Sequence, residues 1–510
     1  MNMTRIMFLF TSVGIALLGI PVYAHGFGER YDLPVPLELY VVGAGAAVGL
    51  SFVVVGLFVK GSPNVHDYPR FNVLNWRLGR ILTQPIIAIS LRILSVALLI
   101  LVVIAGIAGT DIPTLNFAPI MVWVIWWVGT AYASALIGNI WSLINPWSAM
   151  FSWAEHFYHR VNPEGDLDLG QDYPPSWGVW PGLIFFFGFT WMEIVYGQSS
   201  VPGRIALMVL AYSGITWGGM FIYGRETWLR HGESFSLAFG FLARFSPTEI
   251  RVTDTAVCKD CLVDCLDLDG NCIDCVECYS ASAPEYREFN IRPYGVGLIR
   301  KEKIPTSMML FVVLLLSTVT FDGFTATPLW SEFFYFLVDV IPNISTVGTI
   351  GLVIFPLIFL AVYLLFAAIM ATISGNRVRY TDVARAFAFT LIPIALAYHL
   401  AHFFTFLLVQ GQLIIPLMSD PLGRGWDLFG SAGYTVDISL VNARTAWFVS
   451  VVAIVIGHIV AVYLAHVIAL RTIPERHLAI RSQYPMMVLM VGYTMISLWI
   501  LAQPIVEASK

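Results

Sequence analysis

The chain has 510 residues, 58% of them hydrophobic and 12% charged, with a net charge of −5 and a mean hydropathy of +0.76. A soluble domain carries roughly a quarter of its residues as charges, so an ordinary soluble protein is excluded. The acidic balance leaves no electrostatic footprint for a nucleic-acid partner, and the solvent to reason with is the lipid bilayer.

In chain order, residues 1–24 read as a signal peptide: Arg5 in a polar start, an apolar run, then a small residue at the cleavage position Ala24. Cleavage would leave His25 first, outside the cytoplasm. A histidine at the N-terminus can bind copper through its amine and ring, and only His402 is placed to complete such a site. Ten apolar runs follow, near 40–59, 84–109, 118–139, 178–197, 204–222, 305–322, 347–373, 384–411, 445–470 and 485–504. The expected fold is therefore an all-α, polytopic transmembrane bundle of about ten spans. With His25 outside, 21 of the 28 basic residues fall in cytoplasmic segments, as the positive-inside rule requires.

The expected organisation is a membrane domain over 25–250 carrying the first five spans, a cytoplasmic cysteine-rich insert over 251–304, and a second membrane domain over 305–510. Segments 146–159, 233–245 and 330–341 place aromatic and aliphatic residues at helical spacing beside polar ones, as interfacial helices do. His156 and His159, beside Glu155, decorate the first of these. Arg92, near the inner end of the second span, is placed to snorkel.

All six cysteines lie in the insert: Cys258, Cys261 and Cys265, then Cys272, Cys275 and Cys278. In a reducing compartment, closely spaced thiols are kept as metal ligands more often than as disulfides. Two CxxC pairs can converge on one ion through a hairpin. Six thiols exceed one tetrahedral zinc, so zinc and an iron–sulfur cluster stand as alternatives. The last three cysteines supply the opening of a ferredoxin run without its fourth member. Seven acidic residues against one Lys, from Asp254 to Glu277, oppose a cluster of thiolates unless a metal compensates.

Ionisable groups inside spans are functional candidates. His399 and His402 lie one turn apart on the eighth span, and His458 lies at similar depth on the ninth. This set suits copper or zinc, or an axial pair on a b-type haem, and interhelical hydrogen bonding is the competing reading. His466, about 12 Å nearer the cytoplasm, and Glu193 and Asp322, near the outer ends of their spans, are candidates for a proton path, and interfacial capping is the competing reading of the two carboxylates.

Four segments carry a family resemblance: 24–40 (AHGFGERYDLPVPLELY), 121–147, 224–249 (GRETWLRHGESFSLAFGFLARFSPTE) and 317–330 (STVTFDGFTATPLW). They resemble a family of bacterial polytopic membrane proteins often labelled fenitrothion hydrolase. The label implies organophosphate-ester cleavage by metal-activated water, and the resemblance brings no catalytic residues with it. From the residues themselves, the leading expectation is metal-dependent redox or metal handling, with other membrane or redox subunits as partners. Proton-coupled transport and ester hydrolysis are the alternatives.

Overall fold

The computed structural model describes residues 33–59, 68–258, 266–268 and 270–505. The signal-peptide reading, His25, Cys261 and Cys265 lie outside the described residues. The main helices are α1 (Leu37–Phe58), α2 (Pro85–Ala108), α3 (Phe117–Leu136), α4 (Pro146–Val161), α5 (Trp180–Ile194), α6 (Pro202–Tyr223), α7 (Arg225–His231) and α8 (Ser234–Ala243). After the insert, with its short α9 (Val276–Ala281), come α10 (Thr306–Thr325), α11 (Pro328–Val340), α12 (Ile344–Ile373), α13 (Ile392–Gln410), α14 (Ala443–Thr472) and α15 (Gln483–Ala502).

Helix starts follow the sequence. Proline opens α2, α4, α6 and α11, where a missing amide costs no hydrogen bond. Asn343 and Asn442 cap α12 and α14 by accepting the amides of Thr346 and Thr445. Nine helices among the described residues are long and apolar enough to cross a bilayer: α1, α2, α3, α6, α10, α12, α14 and two composites, Tyr380–Ser419 around α13 and Arg476–Ala502 around α15. Tight turns precede Pro393 and Pro416 in the first composite, because proline cannot donate to the helix ladder.

The tenth expected span, 178–197, takes a different form. Gly178 enters at φ +46, and α5 runs for only 15 residues before the turn that leads to α6, about 22 Å against a hydrocarbon thickness of about 30 Å. The amides of Leu169 and Gln171, upstream of α5, bond the carbonyls of Phe221 and Ile222 at the end of α6. Helices α5 and α6 are therefore antiparallel.

Apolar on every side, α10 is the most buried of the long helices and lies at the centre of the bundle. Helices α13 and α14 form the most extensive helix pair. Gly457 permits their approach: a Cβ there would sit 2.4 Å from the Ala397 Cβ and 2.7 Å from the Pro393 carbonyl. Helices α1, α2 and α12 expose apolar residues such as Leu57, Ile93 and Leu357, the surface a bilayer covers.

Four short strands join loops that are distant in sequence: β1 (Phe71–Asn72), β2 (Thr248–Val252), β3 (Cys272–Ile273) and β4 (Arg287–Ile291) form an antiparallel sheet in the order β1-β4-β2-β3. This sheet is an addition to the all-helical expectation. It begins three residues before the expected start of the insert and borrows β1 from the segment between α1 and α2. Arg471 donates to the Ile299 carbonyl at 2.6 Å, and Arg377 pairs with Glu475 at 3.5 Å. The loops near residues 70, 250–300, 377 and 475 therefore share one side of the bundle.

The expected interfacial helices divide. Helix α4 buries Trp147 and Phe151 near its start and exposes Phe157 further on. Helix α11 buries only Trp330 and exposes Phe333, Tyr335 and Phe336. Helix α8, by contrast, lies inside the bundle with eight of its ten residues buried, because SFSLAFGFLA has no polar face. The carboxylate of Glu233 caps it, fully buried, and accepts from the Phe235 and Ser236 amides, Tyr212, Trp141 and Asn145.

Candidate metal centre

Strand β2 fixes the register of β3, with Val252 opposite Cys272. The chain then turns through Asp274 at φ +57, a left-handed conformation that Asp tolerates better than most residues. The Asp274 amide donates to the Ile250 carbonyl at 2.8 Å, and its carboxylate accepts the Ile250 amide at 3.2 Å. This turn sets Cys272 on the strand and Cys275 immediately before α9, whose first turn holds Cys278. Cys258 closes the helical turn that follows β2.

The sulfurs of Cys258, Cys272 and Cys278 lie within 4.8 Å of one another, and all three residues are buried. Thiolates about 2.3 Å from a tetrahedral ion sit about 3.8 Å apart, so a small contraction would close this triad on a metal. The fourth buried thiol, Cys275, receives Nη2 of Arg230 at 3.2 Å and reaches the Glu277 carboxylate at 3.0 Å. Hydrogen bonding with Cys275, burial, and the nearness of Cys258 and Cys278 push the Cys272 thiol far above the ordinary value. Such crowding opposes ionisation of several thiols together, and a bound cation is what would relieve it.

The acidic residues around the cysteines are partly neutralised. Asp274 is 3.0 Å from Arg300 and 3.6 Å from Arg292, while Arg292 also pairs at 2.9 Å with the fully buried Glu249. Glu277 pairs with Arg230 of α7. Burial opposes ionisation of Glu277, but bonds from Glu226, Arg230 and Cys275 pull it down to about 2. Glu226 is pushed up to about 8 by burial and then by its hydrogen bond to Glu277. The module is thus tied to the bundle through α7.

Inside the membrane domain the three central histidines differ in their hydrogen bonds, although His399 and His402 both lie against Phe403. His402 Nε2 lies 2.8 Å from the Asp322 carboxylate, and Glu193 approaches Asp322 and Trp127. His399 is buried among Trp127, Tyr132 and Phe403, with neither ring nitrogen hydrogen-bonded among the described residues. His458 directs Nδ1 to the Ile454 carbonyl of its own helix at 2.8 Å. His466 bridges Gln483 at 2.8 Å and the Val59 carbonyl at 3.0 Å, an interhelical role. Among the described residues, Cys258, Cys272 and Cys278 are the one set of three or more His, Cys, Asp or Glu whose ligand atoms converge this closely. The ring nitrogens of His399, His402 and His458 thus do not converge as a set of three within 4.8 Å of one another.

Sequence reasoning named the cysteines but missed what positions them, Asp274 and Arg230. Their signals were an acidic residue inside CIDC and a basic residue just before an apolar helix. Compared with protein-family models, curated proteins and solved structures, the chain matches none.

Proposed function

We propose that this is a multi-pass inner-membrane protein for redox or metal handling, with a metal–thiolate centre on Cys258, Cys272 and Cys278 and with Cys275 as a further donor among the described residues. The observation that carries the reading is the convergence of three buried sulfurs within 4.8 Å. Thiolate-only ligation suits zinc or iron–sulfur far better than magnesium or calcium. Zinc would make the module structural or a carrier of zinc itself, and an iron–sulfur cluster would make it an electron carrier.

A cytoplasmic location for the module is supported by the loops gathered on its side. They carry Arg77, Arg80, Arg377, Arg379, Arg471, Arg476 and Arg481, and a reducing compartment preserves free thiols. In this reading α5 and the turn after it complete a tenth crossing, and the N-terminus lies outside. Elemental analysis and an optical spectrum of anaerobically purified protein test the proposal, with the six-serine variant as control. Zinc or iron near one equivalent or more, lost in the variant, is expected. Metal-free, colourless wild-type protein would remove its basis.

A second reading, proton-coupled transport, is favoured by one contact, the pairing of His402 with Asp322 beside Glu193. Its test is proton movement in liposomes. Movement abolished by Asp322→Asn with metal content unchanged would place transport ahead of redox or metal handling.

A further inference from the structure

The bundle contains a cavity of about 680 Å³, within the range of about 300–1,000 Å³ typical of small-molecule sites. It lies between α2, α3, α5 and α6, with its inner end against Trp141, Trp147 and Phe235, and no charged side chain lines it. Although consecutive and antiparallel, α5 and α6 scarcely touch. Ile184 on α5 and Ile215 on α6 line the cavity and are also exposed, at 60% and 42%. The opening therefore faces the bilayer.

Five tryptophans form much of the wall, and four of them have their indole N–H groups engaged. Trp123 donates to the Ser199 carbonyl at 2.9 Å, Trp141 to Glu233 at 3.2 Å, Trp147 to Ser213 at 2.7 Å and Trp191 to Thr349 at 2.8 Å. The indole N–H of Trp126 and the hydroxyl of Thr130, four residues further along α3, have no hydrogen-bond partner among the described residues. Both line the cavity half-way along the helix. The stretch Ile120–Gly129 that carries Trp126 is wound with wide i→i+5 turns, a form concentrated at functional sites.

We propose that this cavity binds an uncharged, ring-bearing molecule dissolved in the bilayer, of the quinone kind, with a carbonyl accepting from Trp126 and Thr130 and the ring among the tryptophans. Aromatic walls favour offset or edge contact with a flat ring. A phospholipid fits less well, because its charged headgroup would have to enter a wall without charges at mid-membrane depth. The inner end of the cavity is capped by the Glu233–Tyr212 pair at 2.5 Å, three residues along the chain from the Arg230 that touches Cys275. The ligand site nevertheless stands independently of the metal reading.

The test uses the full chain in phosphatidylcholine nanodiscs, titrated with a short-tailed benzoquinone while tryptophan fluorescence is followed. Saturable quenching is expected above the linear background from partitioned quinone. A Cβ at Gly188 meets nothing within 4 Å, so Gly188→Phe fills the cavity without a backbone clash and should abolish the saturable phase. Thr130→Val, which keeps shape but removes a donor, and Trp126→Phe, which removes the indole N–H with part of the ring wall, should each weaken binding several-fold even if Gly188→Phe fails to fold. Linear quenching alone, or saturation unchanged in all three variants, would overturn the proposal. Saturable quenching by brominated phosphatidylcholine with none by quinone would assign the cavity to acyl chains and also overturn it.

Discussion

Replacing Asp274 with alanine tests whether the cysteine turn is held by the contacts described. The change removes the acceptor of the Ile250 amide and a countercharge shared by Arg292 and Arg300, whose side chains are 1% and 12% exposed. Leaving buried guanidinium groups short of a partner costs about 3 kcal/mol. Placing Ala at φ +57 adds about 1–2 kcal/mol. The turn carries Cys272 and Cys275, so part of this loss should appear as metal affinity weakened by about 10–100-fold, the usual effect of removing a group that orients ligands. Competition between the detergent-purified chain and a chromophoric chelator measures it. Asp274→Asn keeps the left-handed tolerance and an acceptor for Ile250 while removing the charge, so it should fall between wild type and alanine. Wild-type affinity in Asp274→Ala would refute the reasoning, because the sulfurs would then be placed by something other than this turn.

Three further outcomes follow from the same geometry. Gly457→Leu should lower the apparent melting temperature of the purified protein by several degrees, since even a Cβ collides with Ala397 and the Pro393 carbonyl and overpacking costs about 1–3 kcal/mol or more; an unchanged melting curve would contradict the α13–α14 contact. Glu233→Ala should destabilise by about 4 kcal/mol, because it strands several buried donors at about 1–3 kcal/mol each, and Glu233→Gln should cost clearly less; denaturant unfolding in detergent compares them. Hydrogen bonding with Cys275, burial and the neighbouring thiols raise the Cys272 thiol, so a metal must displace its proton to bind. Affinity should accordingly fall as pH falls, because ligating thiols give up their protons to the ion, and pH-independent binding would rule out thiolate ligation.

The helical bundle was legible because long apolar runs state their own structure in a membrane. Trp180–Ile194 was harder, since its apolar composition reads on through Val195 while the backbone turns. The sheet escaped notice because β1 is two residues long and pairs with Ile291 and Asn290 across more than two hundred positions. The cysteines announced a candidate metal site by their spacing together with the reducing compartment expected for them. Counting residues placed His399, His402 and His458 at similar depth but could not give the rotation of each helix about its axis. Rotation sends His402 to Asp322 and His399 into an aromatic nest, while His458 bonds its own helix. The cavity had no linear signal, because four helices build it.

The most direct test of the central claim is X-ray absorption at the edge of whichever metal the anaerobically purified full chain contains. Sulfur-only ligation at about 2.3 Å, lost when Cys258, Cys272 and Cys278 are replaced by serine, is the predicted result. A nitrogen- or oxygen-ligated ion, or sulfur ligation that survives those replacements, would contradict it.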